Sequence, residues 1–344
     1  MAGMATTIEG SARQRAALGR GSRPLLFVAG ILVLLLGLAY LSVAYGARTL
    51  SPSEVWSGLT TESDALNHAI VWQIRLPRLV DGMLVGAALA VAGCLLQGVT
   101  RNPLADPTIL GITAASGLAS ATAMVIEPQI PTWGMAAACV GGGLAGAALL
   151  FFIAWRGQIS PIRLALAGVA MSAFFGAAIV ALLSSSRTFL QTSLGFLAGG
   201  LYGADWRDFR ATAVYIVPGI LGAFLLAGRL NVLALGDDVA AGLGILTDRT
   251  RVAILVVCGV LTAAAVAVAG LVSFVGLVCP HLARFAVGND NRRLIPASAL
   301  TGATLVAAAD LAARIVIAPS EIPMGIITAG VGAPFLLYLV KFRG

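Results

Sequence analysis

The chain has 344 residues, 59% of them hydrophobic and only 11% charged, with a formal net charge of +7. A soluble domain carries about 25% charged residues, so this composition excludes an ordinary soluble enzyme, and its apolar content excludes disorder. The one lysine, Lys341, is followed by Phe342, which excludes a P-loop nucleotide site, because that site needs Gly-Lys-Ser/Thr.

What remains is an all-α, polytopic membrane protein. At about 20 residues per span plus a connection, the chain holds roughly ten to twelve spans, and its 41 glycines suit membrane helices. Residues 1–23 read as a basic N-terminal arm and residues 24–344 as a single transmembrane domain. The apolar run after the arm is too long for a signal peptide, so it is expected to stay as a span.

The uncharged runs predict ten spans in chain order: 24–47, 82–100, 107–126, 128–155, 164–186, 211–228, two short spans within 252–283 divided at Gly270, then 296–317 and 322–340. The stretch 188–204 is also uncharged but is broken by Gly195, Gly199, Gly200 and Gly203, and it reads as a re-entrant or interfacial helix. With the N-terminus inside, fifteen Lys and Arg fall in inner loops and seven in outer ones. That bias predicts that both termini are cytoplasmic. Gly82/Gly86 and Gly142/Gly146 have the small-x-x-x-small spacing that lets helices approach closely.

The four cysteines, Cys94, Cys139, Cys258 and Cys279, lie far apart in apolar segments and read as inert buried thiols. His68 and His281 are too few for a metal site, so no metal ligands are assigned.

Five blocks stand out. Val71 to Arg78, containing Arg75-Leu76-Pro77-Arg78, lies at the outer entrance to span two. It reads either as an interfacial anchor or as a cationic docking point, since guanidinium pairs well with carboxylate. Gln97 to Pro107, with Asn102-Pro103-Leu104-Ala105-Asp106-Pro107, breaks the helix at the inner end of span two. That reads as a plain turn or as irregular backbone lining a pathway. Leu233 to Gly244, with Leu235-Gly236-Asp237-Asp238-Val239 and Leu243-Gly244, reads as a solvated loop or a short docking helix, its two acids suited to a helix N-terminus. Phe274 to Arg284 and Glu321 to Phe335 complete the set.

The ordered motifs R-L-P-R, N-P-L-A-D-P, L-G-D-D-V-A-x-x-L-G, G-L-V-x-P-H-x-x-R and G-A-P-F closely resemble the permease subunits of bacterial ABC importers for iron–siderophore complexes, haem and cobalamin. The resemblance runs from Pro24 to the C-terminus. It implies ten spans per subunit and a bacterial inner-membrane location. It also implies a second permease copy or paralogue, two cytoplasmic ATPase subunits that bind ATP and Mg, and a periplasmic or lipid-anchored binding protein. The chain itself would carry no cofactor and no catalytic residue, and nucleic acid is not expected as a partner.

Carried onto this sequence, the resemblance makes Arg75, Arg78 and Arg314 the binding-protein contact. It makes 231–248 the coupling element, with Leu235, Gly236, Asp237, Asp238, Val239, Leu243 and Gly244 at the ATPase. Asn102, Leu104, Ser160 and Pro161 fall at the cytoplasmic gate, where Pro161 stands in place of a hydroxyl. The expected cargo is a ferric-siderophore complex, with haem or cobalamin as alternatives. The competing class is an ion-coupled secondary transporter, which needs ionisable groups at mid-membrane. Asp310 and Asp81 are the candidates, and Asp310 is expected to pair with Arg314.

Overall fold

The computed structural model describes residues 24–61, 64–156, 158–184, 195–318 and 320–343. The expected N-terminal arm, Arg187 and the first part of the expected re-entrant stretch lie outside the described residues.

The described chain is helical apart from one antiparallel pairing of two-residue strands, β1 (Trp155–Arg156) and β2 (Gln158–Ile159). Helix α1 is Pro24–Ala44. Helix α2 (Pro52–Thr60) starts at Ser51, whose hydroxyl accepts from the Glu54 amide while the Glu54 carboxylate accepts from the Ser51 amide. Helix α3 (Ala65–His68) runs through a π-helical segment, Ala69–Arg75, into α4 (Leu76–Thr100). There follow α5 (Ile112–Ile126), α6 (Thr132–Ala154), α7 (Pro161–Ser184), a single turn α8 (195–198) and α9 (Trp206–Leu233). The last five are α10 (Asp237–Gly242), α11 (Thr247–Ala269), α12 (Val275–Val287), α13 (Asn291–Ile315) and α14 (Met324–Arg343).

Seven of these rods are long and apolar enough to cross a membrane: α1, the continuous Ala65–Thr100 rod, α6, α7, α9, α11 and α13. Helices α5, α12 and Met324–Leu339 of α14 are apolar but shorter. As expected, α11 ends at Gly270, where φ is +64°. A side chain there would also crowd the Phe196 carbonyl, so the break needs glycine on two counts.

The second span begins earlier than the charges predict. Arg75, Arg78 and Asp81 do not end the helix, because each side chain is turned into protein rather than lipid or water. Pro77 withholds one N–H inside this continuous rod, in its π-helical to α-helical join, and the Trp72 carbonyl accepts instead from Trp206 Nε1 at 2.7 Å. The R-L-P-R block therefore sits within a 36-residue helical rod.

Helix α4 forms the centre, packed by α13, α11, α12 and α9. Two close crossings set the geometry. A Cβ on Gly86 would overlap the Gly302 carbonyl of α13, and a Cβ on Gly93 would overlap the Gly276 backbone of α12. Gly142 and Gly146 of α6 pack likewise against Ala119 and Ala115 of α5. All four cysteines are buried and unbridged.

Candidate functional site

Two polar clusters lie at opposite ends of the α4 rod. At the R-L-P-R end, Arg78 donates from Nε to Asp310 Oδ1 at 2.9 Å. Its two terminal nitrogens hold Glu321 Oε1 and Oε2 at 3.1 and 2.9 Å, a bidentate pairing. Asp310 Oδ2 also forms an ion pair with Arg314, 3.1 Å from its Nε, the i,i+4 pair that its spacing predicts. The Arg78 guanidinium lies 5.9 Å from the Tyr202 ring centre.

Arg75 and Arg314 are both buried. Arg75 donates to the main-chain carbonyls of Val43, at 2.6 Å, Ala44, at 2.9 Å, and Arg48. Arg314 donates to the Ser42 carbonyl at 3.2 Å and to the Ser42 hydroxyl. The two arginines thus tie the C-terminal end of α1 to α4 and α13. The structure brings the three predicted arginines together around a cavity of about 230 Å³, with Arg48 and Glu321 also on its wall. Of the three, Arg78 faces the exposed carboxylate of Glu321. Nearby Asp81 is buried, with Oδ2 lacking a protein hydrogen-bond partner among the described residues.

At the other end, α4 stops because Arg101 turns left-handed at φ +52°. The loop that follows is held locally: the Leu104 amide donates to Asn102 Oδ1 at 2.9 Å, and the Thr108 amide to Asp106 Oδ1 at 2.8 Å. Arg101 reaches the Leu233 carbonyl at 2.8 Å and the Asp237 carboxylate. The buried Arg251 of α11 holds both Asp237 oxygens from one nitrogen, at 2.8 and 2.9 Å. Burial by itself pushes the Asp237 carboxyl up, but Arg251 and then Arg101 outweigh it and hold the group below its ordinary value.

Helix α10 opens at Gly236, where φ is +117°, and the turn beyond it uses Gly244 at φ +78°. Both acids lie in its first turn, as the sequence predicts. Around it, Leu235, Val239, Leu243 and Leu246 are exposed, a solvent-facing apolar set outside the membrane-length helices. Ser160 and Pro161 mark the start of α7. Among the described residues no hydrogen bond joins Ser160 to Asn102 or Leu104.

Glu321, Arg101 and Arg251 belong to no contact set that the sequence predicts, because they meet their partners across 14 to 243 positions. Asp310 is signalled only by its spacing to Arg314. Among the described residues no group of three or more His, Cys, Asp or Glu is placed to hold a metal ion.

Residues 33–342 match the FecCD transport family. The chain belongs to that family. It is 38% identical over 321 residues to the iron(3+)-hydroxamate import system permease protein FhuB of Bacillus subtilis, covering 92% of this chain and 83% of that one. It is 39% identical to the Fe(3+) dicitrate transport system permease protein FecD of Escherichia coli, covering 90% of this chain and 96% of that one. The hemin transport system permease protein HmuU of Yersinia pestis is 38% identical, with 92% and 96% covered. Among solved structures, an inward-facing chain described as of metal-chelate ABC transporter type superposes with a TM-score of 0.81 at 30% identity, covering 91% of this chain and 98% of that one. The FecCD match makes this chain one of the transmembrane permeases of ABC importers, a family in which ATP is hydrolysed by a separate subunit.

Proposed function

We propose that this FecCD protein is the membrane-spanning subunit of an ATP-driven importer of ferric-siderophore complexes. It works by alternating access at an interface with a second permease copy or paralogue. The observation that carries the reading is α10: a short helix outside the spans, with exposed Leu235, Val239, Leu243 and Leu246. Exposed apolar clusters of this kind mark protein contacts, and a cytoplasmic ATPase groove is the partner that fits. Asp237 ties that helix to Arg101, the residue before Asn102. Movement of α10 therefore reaches Asn102 and Leu104, which with Ser160 and Pro161 form the proposed gate.

Ten crossings with both termini cytoplasmic follow if α5, α12 and α14 span with help from their irregular flanks. Such backbone is tolerated where protein covers it. The charge bias supports this orientation. Arg75, Arg78 and Arg314 then face the periplasmic side, where a binding protein's carboxylates dock. Iron chelates are the cargo that the names of the relatives favour, since hydroxamate, citrate and siderophore systems recur among them. Relatives named for hemin and for cobalamin import keep haem and cobalamin as the alternative cargoes. An ion-coupled carrier is less well supported, because Asp310 is held between Arg78 and Arg314, which leaves the buried Asp81 as that reading's remaining candidate.

The test is uptake by proteoliposomes containing the full chain, its ATPase and its binding protein. Ferric hydroxamate should enter only with ATP, and Leu235→Asp with Leu243→Asp should release the ATPase. Uptake without ATP that collapses with a proton uncoupler would overturn the reading.

A further inference from the structure

Helix α1 is packed at one end and splayed at the other. Leu35, Ser42, Val43 and Ala44 are buried, whereas Leu25 and Leu26 are 73% and 68% exposed. Between the splayed end and the start of α13 lies a cavity of about 700 Å³. Its walls are apolar, with Val28 and Leu32 on one side and Pro296, Ala297 and Leu300 on the other. At one end sit Arg292 and Arg293.

Those two arginines occupy the first turn of α13, which contains no acidic residue. A helix N-terminus carries partial positive charge, so cations there are unfavourable unless an anion joins them. Both are exposed, and among the described residues neither forms a salt bridge. Asp290 is the one acid beside them; it takes the Asn231 side chain at 2.7 Å and the Arg292 amide at 3.1 Å. The cluster keeps an excess of positive charge.

The dimensions fit a lipid. Pro24 to Leu32 and Arg292 to Leu300 each advance eight residues, about 12 Å of helix. One leaflet's hydrocarbon is about 15 Å deep. The groove therefore runs from a cationic mouth at headgroup level into the acyl layer. Basic pockets between transmembrane helices on the cytoplasmic side are of the kind that hold anionic headgroups.

We propose that this groove is a binding site for an anionic phospholipid of the inner leaflet, its phosphate at Arg292 and Arg293 and one acyl chain along Val28 and Leu300. The chain's own arm is a poor occupant: residues 1–23 carry Arg13, Arg15, Arg20 and Arg23 against the single acid Glu9, so charge repels them from this mouth. The proposal rests on the chain being membrane-embedded with the start of α1 on the cytoplasmic side, and not on the importer reading.

The experiment is native mass spectrometry of the delipidated full chain titrated with dioleoylphosphatidylglycerol or dioleoylphosphatidylcholine. The anionic lipid is retained about 30-fold more strongly, as expected for two arginines near a membrane surface. Arg292→Gln with Arg293→Gln removes the preference, and Arg292→Lys with Arg293→Lys keeps it. Val28→Trp, at a partly exposed position, fills the groove and removes retention with both arginines in place. Equal retention of the two lipids by the parent chain overturns the site, as does full retention by Val28→Trp. Crosslinking of Leu32→Cys to the 1–23 arm in phosphatidylglycerol membranes would make the arm the occupant and also overturn it. ATP-dependent uptake is absent from all these readouts, so this test fails or succeeds independently of the transport assay.

Discussion

Asp237 and Asp238 are neighbours in sequence, yet a helix turns about 100° per residue, so only one of them can face inward. Asp237 does, and it meets Arg101 and Arg251. Asp237→Asn keeps the shape and removes the charge. The Arg251 side chain is 2% exposed and that of Asp237 39% exposed. The loss should therefore fall between the ~1 kcal/mol of an exposed pair and the ~3–5 kcal/mol of a buried one, read as thermal unfolding in detergent. Its effect has a defined pH window. A carboxyl whose folded value is depressed contributes stability above its unfolded value and loses it as pH falls through the folded one. The gap between parent and Asp237→Asn should hold from neutral pH down to about pH 5, begin to shrink near the unfolded value of about 4, and close only as pH falls through the lower folded value. A gap that grows on acidification would mean that Asp237 is not the ionised partner. At this scale the sequence was partly legible. The i,i+4 spacing of Asp310 and Arg314 announced their pair, whereas nothing local linked Arg78 to Glu321 or Arg101 to Asp237.

Helices were more legible than contacts, because a span is a composition and a contact is a fold. Each uncharged run read as a span holds a helix, seven of them of membrane-crossing length, and Gly270 marked the end of α11. The errors came where charge was read as solvent. Arg75, Arg78 and Asp81 lie inside the Ala65–Thr100 rod because other side chains and carbonyls replace water around them. Glycine spacing was informative about packing but silent about partners. Gly86 meets Gly302, which belongs to no small-x-x-x-small pair singled out in the sequence. Gly86→Ala should separate α4 from α13 and cost about 1–3 kcal/mol or more, the range for overpacking a tight contact. Gly141, on the exposed face of α6, has open space where a methyl group would stand and should behave oppositely. Gly141→Ala should leave stability unchanged or raise it by about 0.5–1 kcal/mol through helix propensity. Equal unfolding temperatures for the two variants would remove the Gly86–Gly302 crossing as a determinant of the fold.

Across the whole molecule, one 36-residue helical rod, about 54 Å long, connects the two polar clusters. Arg75 and Arg78 lie toward one end, and Arg101 lies just past the other. A rod braced at both ends is suited to linking events on opposite membrane faces. At the proposed outer mouth this linkage has a competitor built in. Glu321 already occupies the fork of Arg78 that a docking carboxylate would need. Arg78→Glu is therefore a poor test on its own, because it sets three carboxylates against one another and disturbs the mouth whether or not anything docks there. Glu321→Gln is the cleaner change. It frees Arg78 while leaving Asp310 to hold it, so docking of the delivery protein should tighten by about two- to fivefold, the scale of one solvent-exposed ion pair. Arg78→Gln should weaken docking while leaving ATPase assembly intact. A merely structural role for Arg78 predicts the reverse for Glu321→Gln, a looser mouth and weaker docking, since one brace is gone. Binding of the delivery protein to the reconstituted complex separates the two. Tighter binding assigns Arg78 to the interface, and weaker or unchanged binding leaves it as an internal brace between α4 and α13.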